Sequence, residues 1–526
     1  MRRLFPLTLL LLAACHTSIK EVEPSESFRA ALEEVMERQP NAMKVKADDL
    51  ERRREPVILR LSLDDCIELA MAHNRAILFE RLNAELAAAS VVSSRANLDF
   101  RVGGNVGYHR EEAQIDARFF GDTRTKEITA TTNYGISAVL PFASGTTLDV
   151  SAGFARRDTN NPFSTFEFFP TSTVKVTQHL LNGVGLTPNL GGTWVAENDQ
   201  LIANWQVEAT RNDQAFNVAM AYWSLVEAEE ELQVFRNQAD LANDALSLAR
   251  SRLEAEIGTR LDVLAQEANL KATQVSIIRA EALVDQRTDE LLYAIHPDLI
   301  HGYALFSNYR VVIQPLTKSD SSRNNADAPT LMAEVKAALR RRPEIRQAAK
   351  RIESAGIRIE MGEYGLLPML DLEGSFGNKG SGITFDDSWE SFFDFKNLNY
   401  GFNLNFSVPI QNSAARAALT QAEINKRSAI LSARDTETTI ILEVAQAVRN
   451  ITTARRAVDA AEEAFRLQDE THDAEMERQK AGLATSFEVK QALNDLTNAE
   501  LEVVKARIGM ERSRLQLQKA TGDMGR

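Results

Sequence analysis

The chain has 526 residues, 44% hydrophobic and 25% charged, with 25 Gly and 14 Pro. That composition is ordinary for folded protein and too apolar for disorder. A formal charge of −14 argues against nucleic acid as a partner, because phosphate binding needs a basic surface. The two cysteines, Cys15 and Cys66, make no disulfide framework. Cys66 lies in the helix-like pattern Leu63-Asp-Asp-Cys-Ile-Glu-Leu-Ala70 and reads as a small buried apolar residue.

At the amino terminus, Arg2 and Arg3 precede a mostly apolar run, Leu4 to Ala14. About 11 residues are too few to span a bilayer and suit a secretory signal. The run ends in Leu12-Ala13-Ala14-Cys15, which resembles the lipobox of bacterial lipoproteins. The resemblance implies cleavage before Cys15 and acylation of its sulfur and new amino group. His16 stands where inner-membrane retention usually shows Asp, which favours the outer membrane. Several acyl chains, at about 0.8 kcal/mol per buried CH₂, suffice for stable anchoring. An ordinary signal peptide with a chance cysteine is the alternative. No later segment reaches about 18 consecutive apolar residues, so a membrane crossing by the mature chain has to be a β-barrel.

The rest of the chain is written twice. Leu63 to Ile77 parallels Leu331 to Ile345 at an offset of 268, and Arg252 to Val263 parallels Arg478 to Val489 at 226. Each copy reads helix, strands, very long helix, tight turn, long helix. The difference puts about 42 extra residues in the first copy, between roughly 110 and 170. The strand segments alternate with period two. From Tyr400 to Ile410, one face carries Tyr400, Phe402, Leu404, Phe406, Val408 and Ile410, and the other Gly401, Asn403, Asn405 and Ser407. Such alternation marks a membrane β-strand, although a soluble sandwich gives the same pattern. The extra residues hold two alternating runs around Pro141-Phe-Ala-Ser-Gly-Thr146, which predicts one additional hairpin near 128–156. Stretches at about 111–127, 157–170 and 378–398 are expected to be exposed loops. The last is rich in aromatics (Trp389, Phe392, Phe393, Phe395) and suits a plug, a lipid contact or a receptor-like surface. Helices from about Asn189 to Glu256 and Asn412 to Lys480 lack almost any Gly or Pro. At 1.5 Å per residue each would be on the order of 100 Å long. Their narrow apolar stripes suit coiled-coil packing, and charge runs such as Glu227 to Glu231 read as solvated faces.

In order and spacing, these features resemble the TolC-like outer-membrane efflux protein family, lipoprotein type, over nearly the whole mature chain. The residues that carry the resemblance include Leu61 to Ala70, Asn182-Gly183, Arg342-Pro-Glu-Ile345, Pro368, Val408-Pro-Ile410, Ala481-Gly482 and Ala520-Thr-Gly522. The resemblance implies an α+β membrane protein: a trimeric transmembrane β-barrel continued by a periplasmic α-helical coiled-coil barrel. It implies a signal peptide over 1–14 and a lipid-anchored linker over 15–60. A first repeat follows over 61–297, with β segments about 98–181 and a tip turn about 256–262. An equatorial linker spans 298–329, and a second repeat 330–522 has β segments about 369–410 and a tip turn about 481–488. The expected partners are two further copies, a periplasmic adaptor, an inner-membrane pump and outer-membrane lipid, with passive conduction of substrates to the exterior. Barrel geometry agrees, since few strands per copy cannot enclose an aqueous pore and three chains have to share one wall. The usual four strands per copy become six if the extra hairpin joins.

The family carries a constriction acid six positions after the tip glycine. Here that glycine is Gly482 and the acid Glu488, with Asp262 the equivalent in the first copy. Three-fold symmetry makes each a ring of carboxylates that attracts cations. An exposed acid stabilised at a helix start is the plainer reading. Glu256 stands at the glycine's place in the first copy and Gly258 is displaced by two, so that turn need not be built alike. Gln479 and Ala484 replace the Tyr and Arg of better-known gates, leaving Arg478 or Arg260 as candidate partners. Neither a cofactor nor a metal is expected. His16, His73, His109, His179, His296, His301 and His472 are scattered, with His296 and His301 read as structural. A phosphate loop is missing from the sequence, so energy has to come from a partner, and no pattern suggests catalysis. The rival reading is a periplasmic coiled-coil scaffold or adaptor lipoprotein without a pore.

Overall fold

The computed structural model describes residues 57–114, 126–161, 166–300, 311–315 and 330–524. The leader, Cys15 and the linker to residue 56 lie outside them, as do parts of the expected loops 111–127 and 157–170 and of the linker 298–329. The described residues divide between two compact units. One falls within Met1–Glu80, Glu208–Arg342 and Thr439–Arg526, and the other within Arg81–Val207 and Pro343–Thr438.

The first unit is helical around one small sheet. Strand β1 (Val57–Leu61) runs into helix α1 (Leu63–His73) through Ser62, whose hydroxyl accepts the Asp65 N–H while the Asp65 carboxylate accepts the Ser62 N–H. This reciprocal cap satisfies backbone donors that a helix start otherwise leaves free. Buried Cys66, Leu69 and Ala70 fall at helical spacing on one face. Asn74 ends α1, and its side-chain oxygen accepts the Ala76 N–H at the start of α2 (Arg75–Arg95). The core of this unit joins α1 to Tyr222, Trp223 and Leu225 of α3 (Leu186–Glu254) and to Leu291, Leu292 and Ile295 of α4 (Arg260–Ile295). Strand β6 (Val311–Pro315) pairs in parallel with β1 across about 250 residues of sequence, so residues read as linker on both sides form ordered structure. In the second copy α5 (Leu331–Arg341) corresponds to α1, and the second unit resumes at Pro343, which opens α6 (Pro343–Leu366), where a missing N–H costs nothing.

The second unit is built on a sheet of six strands. These are β2 (Arg101–Gln114), β3 (Lys126–Pro141), β4 (Thr146–Thr159), β5 (Phe168–His179), β7 (Met369–Lys379) and β8 (Leu398–Ser407). Their order is β2-β3-β4-β5-β7-β8, with every neighbouring pair antiparallel. The expected extra hairpin is β3–β4, and it lies inside the sheet. The loop after β7 holds helix α7 (Phe385–Phe393), which the aromatic run alone did not disclose. Its Trp389 and Phe385 pack on Phe154, with centroids 6.3 and 5.4 Å away.

Helix α3 has 69 residues and α8 (Ser413–Lys480) has 68, and both contribute to each unit. Helix α9 (Ser486–Thr521) completes the second copy and ends on Gly522 at φ 75°. The Glu227 to Glu231 run is no plain solvated face. Glu227 pairs with the half-buried Arg512 of α9 at 2.6 Å. Burial raises the Glu231 carboxyl above its usual range, with Glu227 adding to the shift. Among the described residues, no helix is long and apolar enough to cross a membrane.

Burial also pushes the Cys66 thiol far above its ordinary value, with the Asp65 charge adding to it. A thiol so held stays protonated and inert. Maleimide at mildly alkaline pH should therefore leave Cys66 unlabelled in native protein and modify it fully in guanidinium. Labelling of native protein at the rate of a free thiol would contradict this packing.

Candidate functional site

Two features stand out, the paired helical turns and the faces of the large sheet. The first turn joins α3 to α4 and the second joins α8 to α9. They share one backbone device at an offset of 226. Glu256 takes φ 58°, with its N–H on Leu253 O at 3.1 Å, and the Ile257 N–H reaches Arg252 O at 3.0 Å. Gly482 takes φ 76°, with its N–H on Gln479 O at 3.0 Å, and the Leu483 N–H reaches Arg478 O at 2.8 Å. Both are left-handed caps that satisfy the last carbonyls of a helix. The turns are thus built alike, and Glu256 rather than Gly258 bears the positive φ. Gly258 has another constraint, since a Cβ there would sit 3.0 Å from the Cβ of Arg252.

The helices that follow also start alike. Thr259 caps α4 with Asp262 at the third position, and Thr485 caps α9 with Glu488. One Asp262 oxygen accepts the Thr259 N–H at 3.1 Å and its hydroxyl at 2.6 Å. One Glu488 oxygen accepts the Thr485 N–H at 2.6 Å and its hydroxyl at 2.9 Å. The Thr259 hydroxyl, aided by its N–H, holds the Asp262 carboxyl below its usual range. For Glu488 the Thr485 N–H leads and the hydroxyl follows. Hydrogen bonds to the ionised form favour it, so both acids are charged at neutral pH and poorly matched to proton transfer there.

The two turns are tied to each other. Arg252 donates to the Gln479 carbonyl at 2.7 Å, and Gln266 donates to the Ser486 carbonyl at 3.2 Å. Gln479 is itself buried, and its amide donates to the Ser486 hydroxyl at 3.3 Å. Arg252, Gly258, Asp262, Gln479 and Ser486 line a cavity of about 170 Å³ between them. Within one copy Arg478 pairs with Glu475 of its own helix at 2.6 Å and reaches Leu483 O of its own turn. Its counterpart in the first copy, Arg252, is the cation that reaches the other turn. Beyond this polar tie the turns end in apolar side chains: Ile257 is 70% exposed and Leu261 75%, and their counterparts Leu483 and Phe487 are 72% and 73% exposed.

In the sheet, directly opposed residues of antiparallel neighbours share a face, so the register sorts every side chain. One face carries Val106, Tyr134, Phe154, Val174, Phe376 and Tyr400, among others, one or more from each strand. The other carries Asn105, Ser137, Asp149, Lys175, Glu373 and Asn403. Most of the apolar face is open, with Phe402 80% exposed. Because Phe154 belongs to the apolar face, the aromatics of α7 cover that side. His179 reaches Asp371 at 2.6 Å on the polar face. Among the described residues, no group of His, Cys, Asp and Glu could hold a metal ion, and His296 stacks on His73 at 4.2 Å. His301 lies outside the described residues.

Residues 335–523 match the family model described as outer membrane efflux protein. The chain is 23% identical to outer membrane efflux protein BepC of Brucella suis, over 69% of this chain and 74% of that one. It is 24% identical to outer membrane protein TolC of Vibrio cholerae, over 63% and 74%. Its fold superimposes on the Campylobacter jejuni CmeC outer membrane channel with a TM-score of 0.61, 15% identity and 93% of each chain covered.

Stability at the turns should follow the caps. Bonds to a carboxylate of lowered pKa are in place above the unfolded-state range and are lost as pH falls through the folded value. Thr259→Ala and Thr485→Ala should each cost about 1 kcal/mol locally and raise amide exchange in the first turn of α4 or α9 roughly fivefold. Hydrogen exchange by mass spectrometry measures this, and unchanged protection would refute the capping role.

Proposed function

Because the chain belongs to the TolC-like outer membrane efflux protein family, we propose that three copies form a passive export duct in the outer membrane, anchored through acylated Cys15. The duct serves a periplasmic adaptor and an inner-membrane pump, which supply substrate and energy. The observation that carries this reading is the large sheet, apolar on one open face and polar on the other, with edges at β2 and β8 that pair with no other strand among the described residues. Hydrocarbon tolerates such a sheet only when its edges close into a barrel, and the polar face then lines water. One sheet of six strands is too narrow for that, whereas several copies suffice. A scaffold or adaptor without a pore has no use for it.

The paired turns are the periplasmic end in this reading. Asp262 and Glu488 supply two rings of three carboxylates, fixed by their caps and charged at neutral pH. Such rings concentrate cations and bind multivalent ones. The Arg252–Gln479 tie keeps the two turns of one copy together. The exposed Ile257, Leu261, Leu483 and Phe487, with the turns about Gly258 and Gly482 that present them, form an apolar contact for the adaptor.

Detergent extraction of outer membranes should yield a trimer that resists SDS until heated, and a monomer released by salt would refute the duct. In planar bilayers, Glu488→Gln removes the charge and keeps an acceptor for the Thr485 cap. It should weaken block by multivalent cations several-fold, and Glu488→Ala should in addition raise single-channel conductance. Unchanged block and conductance in both variants would remove Glu488 from the gate.

A further inference from the structure

We infer that β3 and β4 are wall strands of the pore, so that each copy contributes six strands and three copies close a barrel of about 18. This deepens the trimeric channel proposed above and rests on it. Three observations carry it. The first is position: β3 pairs with β2 from Arg101↔Val139 to Gln114↔Lys126, and β4 pairs with β5 from Thr146↔Gln178 to Arg156↔Phe168. A hairpin standing outside the wall would leave β2 beside β5, and here two full strands separate them.

The second is continuity of the faces. Tyr134 and Ile136 of β3 and Val150 and Phe154 of β4 extend the apolar face between Val106 and Val174. Ser137 and Asp149 extend the polar face, where the Asp149 carboxylate lies 3.8 Å from the Lys175 ammonium of β5. A hairpin exposed to water on both sides has no reason to alternate in phase with its neighbours.

The third is the turn of the hairpin, which is built into the passage from β5 to α3. Gly145 takes φ 83°, and its carbonyl accepts the His179 N–H at 3.1 Å. The Gly185 N–H reaches Ser144 O at 3.1 Å. A Cβ on Gly145 would meet the Gly183 carbonyl oxygen at 2.2 Å, so the two segments fit only through glycine. Parity is preserved as well, as it would be with four strands. Six alternating strands leave β2 and β8 pointing in opposite directions, so β8 of one copy meets β2 of the next antiparallel, like every other pair in the sheet.

Because barrel diameter grows about linearly with strand number, this wall is roughly 1.5 times as wide as one built from four strands per copy. Its cross-section is then roughly twofold larger.

Electron cryomicroscopy of the full protein in lipid nanodiscs tests the inference, with six strands per copy around one wall as the expected result. A wall of three copies with four strands each, and β3–β4 projecting from it, would overturn the inference while leaving the channel standing. A particle with no transmembrane wall would overturn the channel reading itself. As a second measurement, Gly103→Cys with Ser137→Cys, opposed on β2 and β3, should form an intrachain disulfide on oxidation of whole outer membranes. Failure of the pair to close in protein that still assembles as a trimer would place β2 elsewhere and overturn the inference.

Discussion

Backbone hydrogen bonding is the constraint on which this molecule turns. Each N–H and C=O that enters hydrocarbon has to find a partner, and a sheet finds partners for all but its outermost strands. Here those strands are β2 and β8, and among the described residues neither has a second neighbour. The rest of the sheet follows from this. Strands are added in pairs, so the chain returns to the same side before each long helix begins. Among the described residues the first copy supplies four strands of the large sheet and the second two, yet α3 and α8 are nearly equal in length and both end at a turn of the same construction. An insertion of one strand would have inverted everything downstream of it, and an insertion of two leaves it undisturbed.

The paired turns show the same backbone requirement met by different side chains. A left-handed residue has to follow each helix so that the last carbonyls are satisfied. Gly482 meets this at little cost, while Glu256 bears the Cβ penalty of about 1 kcal/mol. The first turn carries compensating contacts, in that Gly258 packs against Arg252 and its N–H joins that of Ile257 on the Arg252 carbonyl. Arg252 is therefore engaged twice, by its carbonyl within its own turn and by its guanidinium on Gln479 of the other. A charge-assisted bond to a helix-terminal carbonyl also suits the negative end of the helix dipole.

Much of this arrangement was legible because the chain repeats itself. The offsets of 268 and 226 located both turns, the strand sets and the added hairpin, and period-two alternation sorted the faces of β8 before its neighbours were known. The Thr-x-x-acid spacing at Thr259–Asp262 and Thr485–Glu488 was also in plain view as a cap signature, although position alone suggested only a helix start. What stayed hidden depends on partners far apart in sequence. Parallel pairing of β1 with β6 joins two short apolar runs about 250 residues apart, each too brief to announce a strand. Arg252 reaches Gln479 across 227 positions, a pairing that no local pattern announces. Helix α7 is short and its apolar residues are aromatic, a pattern that fits a loop until Phe154 is there to receive Trp389. The acidic run at Glu227 looked solvated for the same reason, because Arg512 lies 285 residues further on.

The two readings of Asp262 and Glu488, helix cap and gate charge, are therefore not alternatives. In both residues a single oxygen takes the two bonds from the capping threonine. A carboxylate held this way favours one rotamer, so its charge sits mainly at the start of the helix and follows it when the helix moves. Those same bonds keep the acid ionised by stabilising its charged form. In the proposed ring of three copies, the position of the negative charge would then report the position of α4 or α9. A rotation of the helix pairs would widen or narrow the ring without any side-chain rearrangement. The cap supplies what a charge-lined constriction requires, a carboxylate that stays charged and moves as part of a rigid element.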